Sequence, residues 1–166
     1  MKLVFLDIDG VVNTARNLLF LPNELHHGSG AFLEHIDQVS AHAIRFLCEY
    51  TGCKIVINST HGANGEDYIR DLFMKVGYDI SEDLYIRWCS GFPNENMNRG
   101  DAIKQFMNTM RESGEEVTHW CVIDDASLPD LQEHHVKPDS QNGIMMQDFE
   151  QACKILGKPF TGLIII

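Results

Sequence analysis

This sequence predicts an open α/β sheet: three unbroken apolar runs, each ending in polar residues, alternate with segments whose apolar residues recur at helical spacing. A run without polar alternation suits a strand covered on both faces, as in a parallel sheet flanked by helices. Ligands of such sheets bind beyond the carboxyl ends of the strands, so the polar ends of the three runs are expected to converge on one site.

The first strand is Leu3-Val4-Phe5-Leu6, stopped by Asp7. From Arg16 to about Asp37 the chain is irregular, with Pro22, the pair His26-His27 and Gly28-Ser29-Gly30, and it reads as a small flap inserted after the first strand. Val39, Ala43, Phe46, Leu47 and Tyr50 then mark a helix closed by Gly52. The second strand, Ile55-Val56-Ile57, ends at Asn58-Ser59-Thr60, and a helix carrying Ile69, Leu72, Phe73 and Val76 stops at Gly77. Asn98 is the expected N-cap of a third helix, with Ile103, Phe106, Met107 and Met110 on one face and Gly114 after it. The third strand, Trp120-Cys121-Val122-Ile123, ends at Asp124-Asp125. A last helix around Phe149, Ala152 and Leu156 precedes Gly157 and the apolar tail Leu163-Ile164-Ile165-Ile166, expected as a buried or paired edge strand. No internal repeat interrupts this order, and residues 1–166 are expected to form one domain.

Composition narrows the function. With 44% hydrophobic and 22% charged residues the chain is of ordinary globular character, and its formal net charge of −11 repels an extended polynucleotide. The apolar start is too short for a signal segment or a membrane span. Five cysteines, Cys48, Cys53, Cys89, Cys121 and Cys153, form no CxxC pair, which fits reduced thiols and a cytoplasmic setting.

Asp7-Ile8-Asp9-Gly10 sets two carboxylates two residues apart just beyond a strand, with a glycine that lets the backbone turn. A carboxylate can attack phosphorus, a second can protonate the leaving oxygen and then activate water, and Mg²⁺ can neutralise the crowded negative charge. Asp124 and Asp125 would add carboxylates to the same cation, while Ser59 or Thr60 could hydrogen-bond a phosphate oxygen, unless that pair merely caps the next helix. Phosphoryl chemistry also needs a fixed cation. Arg99, at the start of a helix, supplies one beside backbone N–H groups; Lys104, one turn further on, is the competing candidate and fits a solvated face better.

Four segments together resemble the haloacid dehalogenase (HAD) superfamily: Asp7-Ile8-Asp9-Gly10-Val11-Val12-Asn13, Ile57-Asn58-Ser59-Thr60, Arg99-Gly100-Asp101-Ala102-Ile103 and Val122-Ile123-Asp124-Asp125 appear in the superfamily's order. Within it the chain most resembles the compact HAD domains of multifunctional RNA-repair proteins, to which Asn13, Arg99-Gly100 and His135-Val136…Gly143-Ile144 are similar. The resemblance implies a Rossmann-like sheet and a Mg²⁺-dependent phosphomonoesterase. It makes Asp7 the nucleophile and a metal ligand, and Asp9 the acid/base and a ligand through its backbone carbonyl. Ser59 would hold phosphate, Arg99 would stabilise charge, and Asp124 or Asp125 would complete the metal shell. Gly10, Asn13, Thr60, His61 and Lys104 are the further candidates for substrate contact. The sequence departs from this group at His61-Gly62-Ala63, where the group tends to carry a tryptophan and an arginine, so a phosphate or substrate contact is expected to be either missing or replaced by His61.

The expected substrate is a small phosphorylated metabolite, a nucleotide, or a terminal phosphate of a nucleic acid. Acidity favours the first two and the resemblance favours the last. The same residues would serve a phosphotransferase that delivers phosphate to an alcohol, and a fold that only binds a phosphorylated ligand or a protein is the non-enzymatic alternative. The eight histidines lack the spacing of a closed zinc site, so His26 and His27 read as solvated loop. Trp88 and Phe92 read as loop packing, with stacking on a base as the alternative.

Overall fold

The computed structural model describes residues 1–19, 35–85 and 98–162. The expectations for His26, His27, Cys89, Trp88, Phe92, the apolar tail and most of the flap lie outside the described residues.

Among the described residues the sheet is parallel and four-stranded, in the order β2-β1-β3-β4, with β1 at Lys2–Leu6, β2 at Cys53–Ile57, β3 at His119–Ile123 and β4 at His135–Val136. Leu3, Val4, Phe5 and Leu6 are all buried, as an unbroken apolar run in an interior strand requires. β4 was not expected. Two residues carry no readable periodicity, and it exists because Val122 and Ile123 offer a free edge.

Register decides where the site forms. Leu6 lies opposite both Ile57 and Ile123, so the residues that follow, Asp7, Asn58 and Asp124, stand abreast at the carboxyl edge. Backbone bonds continue the ladder one step there: Asn58 N–H donates to Leu6 C=O, Asp7 N–H to Ile123 C=O, and Asp124 N–H to Val136 C=O.

Five helices occur among the described residues: α1 at Ala15–Leu18, α2 at Gln38–Thr51, α3 at Glu66–Met74, α4 at Arg99–Glu112 and α5 at Met146–Ile155. Asn98 caps α4 as expected, its side chain accepting from the Asp101 N–H at 2.8 Å. α4 meets the sheet edge-on through Phe106 against Phe5, with ring centroids 5.4 Å apart. The core face of α2 differs from the expected one. Ser40, Ala41, Ile44, Leu47 and Cys48 are buried while Val39 is exposed, and Phe46 instead stacks on Phe149 of α5 at 5.3 Å. The apolar stripe read from the sequence is thus partly the seam to a neighbouring helix.

The two ends of the expected flap are tied together. Asp37 caps α2 and also receives Thr14 Oγ1 at 2.9 Å and Arg16 Nη2 at 2.7 Å, so a single buried carboxylate closes the base of the insertion. No helix among the described residues is long and apolar enough to cross a membrane.

Candidate active site

The strand ends bring Asp7 and Asp124 together, and the chain beyond β3 adds Asp125. One carboxylate oxygen from each lies within 4.8 Å of the others. Asp7 is 1% exposed and Asp124 is fully buried. At such a separation two charges repel by about 3–4 kcal/mol at an effective dielectric of about 20, several times what an ordinary hydrogen bond contributes. The trio therefore requires positive charge beside it.

Arg99 supplies part of that charge. Its Nη1 donates to Asp7 Oδ2 at 2.5 Å and to Asp124 Oδ2 at 2.7 Å. Asp7 Oδ1 accepts the Ile8 N–H and Asp124 Oδ1 the Ala126 N–H, both at 2.8 Å, which fixes the two carboxylates. Burial pushes the Asp7 carboxyl up to about 6, with Arg99 opposing and the Asp124 charge reinforcing the rise. Burial, again reinforced by Asp124, also raises Asp125 above the usual carboxylate range. Three carboxylates that offer hard oxygen donors, their charge offset only in part by Arg99, fit a Mg²⁺ ion.

Asp9 sits apart from this trio. Its side chain is 41% exposed, and its flank is held by Asn13 Nδ2 at 2.9 Å and His61 Nε2 at 3.2 Å. The His61 hydrogen bond holds the Asp9 carboxyl below its ordinary range, against the effect of burial. Gly10 follows with φ of +76°, and a Cβ there would overlap the Asp125 carboxylate, so only glycine permits this approach.

Ser59 occupies the N-cap position of the single-turn 3₁₀ segment Thr60–Asn64 but makes no capping bond. Its Oγ is buried without a hydrogen-bond partner among the described residues, as is the adjacent Asn58 Nδ2. Buried polar atoms are nearly always paired, so this leftover hydroxyl, which follows Asn58 at the carboxyl edge of the sheet, is suited to a ligand oxygen, although Ser59 itself does not line the cleft that holds Asp7 and Arg99. Thr60, next in the chain, is exposed.

The cleft holding Asp7, Asp9, Gly10, Asn13, Arg99 and Asp125 has a volume of about 260 Å³. Three of the expected substrate contacts, Lys104, His61 and Asn13, are placed as follows. Lys104 does not reach this cleft: its ammonium is 3.4 Å from Asp130, and it lines a larger cavity of about 590 Å³ between α4 and the turn Pro129–His134, which contains none of the clustered carboxylates. Five residues along a helix rotate a side chain by about 140°, so Arg99 and Lys104 cannot share one cleft. His61 is 5% exposed and turned onto Asp9, and Asn13, also buried, lines the cleft and donates from its amide to Asp9. Both serve the second carboxylate of the motif. Tyr68 on α3, whose hydroxyl lies 3.1 Å from His61 Nδ1, was not expected, and neither were Ser140 and Gln141, which line the cleft. No local pattern marks any of them.

A parallel sheet with an Asp-x-Asp turn after an interior strand, a carboxylate pair after its neighbour and a helix-borne arginine between them defines a HAD-type domain. The chain belongs to the family of the HAD domain in Swiss Army Knife RNA repair proteins, whose family model matches residues 3–149. Membership gives it a hydrolase or phosphatase function of HAD type in general terms. No curated protein and no solved structure matches the chain.

Proposed function

We propose that this protein is a Mg²⁺-dependent phosphomonoester hydrolase that works through an aspartyl-phosphate on Asp7. The observation that carries the reading is the convergence of Asp7, Asp124 and Asp125 on one point, with Arg99 bridging two of them. Asp7, Asp124 and Asp125 would hold the ion, which when bound supplies charge neutralisation for the incoming phosphate.

A carboxylate oxygen of Asp7 forms a bond to phosphorus as the bond from phosphorus to the leaving oxygen breaks, and Asp9 gives that oxygen a proton. Water then attacks phosphorus, Asp9 takes its proton, and the bond from Asp7 to phosphorus breaks to release phosphate. The proton taken from water is the one handed to the next leaving group. The His61 hydrogen bond favours the carboxylate form of Asp9, which the water step requires. Arg99 steadies the equatorial oxygens, and Ser59 Oγ, buried and unpartnered, donates to one of them.

For substrate, the family's description favours a terminal phosphate of a nucleic acid, and a nucleotide or small phosphorylated metabolite presents the same group. The test is phosphate release, with Mg²⁺ and with EDTA, from nucleoside 3′- and 5′-monophosphates, sugar phosphates and oligonucleotides bearing 3′- or 5′-phosphate. Release that needs Mg²⁺ and is lost in Asp7→Asn is expected; release unaffected by both changes would refute the mechanism. Added alcohols that collect phosphate in large excess over their share by concentration would instead mark a phosphotransferase.

A further inference from the structure

We infer that His61 and Tyr68 form a positioning relay for Asp9, holding its carboxyl in the orientation from which it exchanges a proton with the leaving group and with water. The inference rests on the phosphatase reading above and assigns a role to residues outside the phosphoryl contacts.

Three observations carry it. First, both ring nitrogens of His61 are committed to protein partners. Nε2 lies 3.2 and 3.3 Å from the two oxygens of Asp9, and Nδ1 lies 3.1 Å from the Tyr68 hydroxyl. A ring that is 5% exposed with both nitrogens so placed has nothing left to offer a substrate phosphate. Second, the chemistry of the partners fixes the direction of the chain. An Asp9 carboxylate only accepts, so Nε2 carries the proton; in the neutral ring Nδ1 is then an acceptor, which the Tyr68 hydroxyl can satisfy by donating. The two rings stack nearly parallel, 12° apart, so the imidazole is held in its plane as well as by its ends. Third, the clamp is one-sided. Asn13 and His61 hold Asp9 from the protein, yet its side chain remains 41% exposed on the cleft.

Asp9 needs such support because it stands in a tight turn, where Gly10 N–H donates to Asn13 C=O, and neither strand nor helix fixes its side chain. His61 comes from the turn after β2 and Tyr68 from the first turns of α3, so the relay ties the acid/base to two elements beyond its own loop. Misplacing a general acid by about 1 Å can cost a factor of about 100.

The relay makes a prediction that a merely structural role does not. Protonation matters most when the leaving group is a poor one, so the loss in His61→Ala should depend on the substrate. With Mg²⁺ present, kcat/KM should fall about 10–100-fold on an alkyl phosphate such as a nucleoside 5′-monophosphate and no more than about 3-fold on p-nitrophenyl phosphate. His61→Gln, which keeps a donor near the Nε2 position, should recover most of the loss, and Tyr68→Phe should show a smaller loss with the same substrate dependence. A second readout needs no turnover. In ¹⁵N-histidine-labelled, metal-free protein, His61 should show the Nε2–H tautomer, and its ring signals should move in both Asp9→Asn and Tyr68→Phe. Equal losses on the two phosphates with an active wild type, or ring signals indifferent to Asp9→Asn, would overturn the relay alone. A wild type silent on every phosphate, with His61 still coupled to Asp9, would overturn the phosphatase reading and the catalytic purpose of the relay with it.

Discussion

Replacing Asp7 with asparagine should abolish turnover and yet make the metal-free protein more stable. In the fold the Asp7 carboxyl is raised from 3.8 to about 6 by burial, helped by the charge of Asp124 and opposed by Arg99, which amounts to a penalty of about 3 kcal/mol on its ionised form. The folded value lies above the unfolded one, so the native state binds an extra proton between these values. The penalty is absent below pH 3.8, develops towards pH 6 and is complete above it. Arg99's attraction is already counted in that net value, but asparagine has one acceptor oxygen where Asp7 uses two, for the Ile8 N–H and for Arg99, and the donor left without its partner costs about 1–2 kcal/mol of the benefit. A net gain of about 1–2 kcal/mol is expected at pH 7.5 in EDTA, or roughly 3–6 °C in Tm for a chain of this size. The gain should fade as the pH falls from 6 towards 4. Millimolar Mg²⁺ should then reverse the order, because the ion binds and stabilises only the chain that presents all three carboxylates. The assay is thermal unfolding of both proteins across pH, with EDTA and with Mg²⁺. An asparagine variant less stable than wild type in EDTA at pH 7.5, or one with the same Mg²⁺ response as wild type, would refute both the electrostatic argument and the assignment of the metal site.

Ser59→Ala should lower kcat/KM by about 10–100-fold with unchanged melting temperature, since its Oγ supports no bond within the fold and its removal leaves no partner unsatisfied; kinetics paired with calorimetry test this, and a stability loss without a kinetic one would assign Ser59 to the fold instead. Arg99→Ala should cut turnover by at least about 100-fold, while Lys104→Ala should stay within about 2-fold of wild type, because only Arg99 reaches the carboxylates. Equal losses from the two substitutions would contradict the cleft as drawn.

The parts of this site legible in the sequence are those that strand geometry delivers. An interior strand must be apolar until it leaves the sheet, so the first polar residue after each run marks its carboxyl end. Parallel pairing then sets those residues side by side, as the register of Leu6 with Ile57 and Ile123 does for Asp7, Asn58 and Asp124. Asn98 was legible for a related reason: a helix cap is a local bond between residues three apart. What the sequence could not show was direction around a helix and contact between elements. Arg99 and Lys104 were separable only by preference until the rotation of α4 sent them to different cavities. Tyr68 carries no mark of its partnership with His61, because that contact depends on how α3 leans on the turn after β2. His61 stands in the sequence as a candidate substrate contact because it occupies the place where the resembling group carries other residues, and nothing local points it at Asp9 instead.

The structure moves His61 one step back from the chemistry, and that shift bears on how this family's site is built. Asp7 and Asp124, fixed by strand ends, backbone N–H groups and Arg99, owe their positions to the sheet, so they are preorganised by the same bonds that fold it. Asp9 has no such support, being two residues past the strand in a turn closed by Gly10 and Asn13. A side chain placed there is either loose or held by side chains recruited from elsewhere, and the turn after β2, one of the two strands beside β1, supplies His61. Variation between relatives should therefore concentrate at the position of His61, since the residue there can change together with its partner on α3, whereas Asp7 and Asp124 are held by the sheet itself.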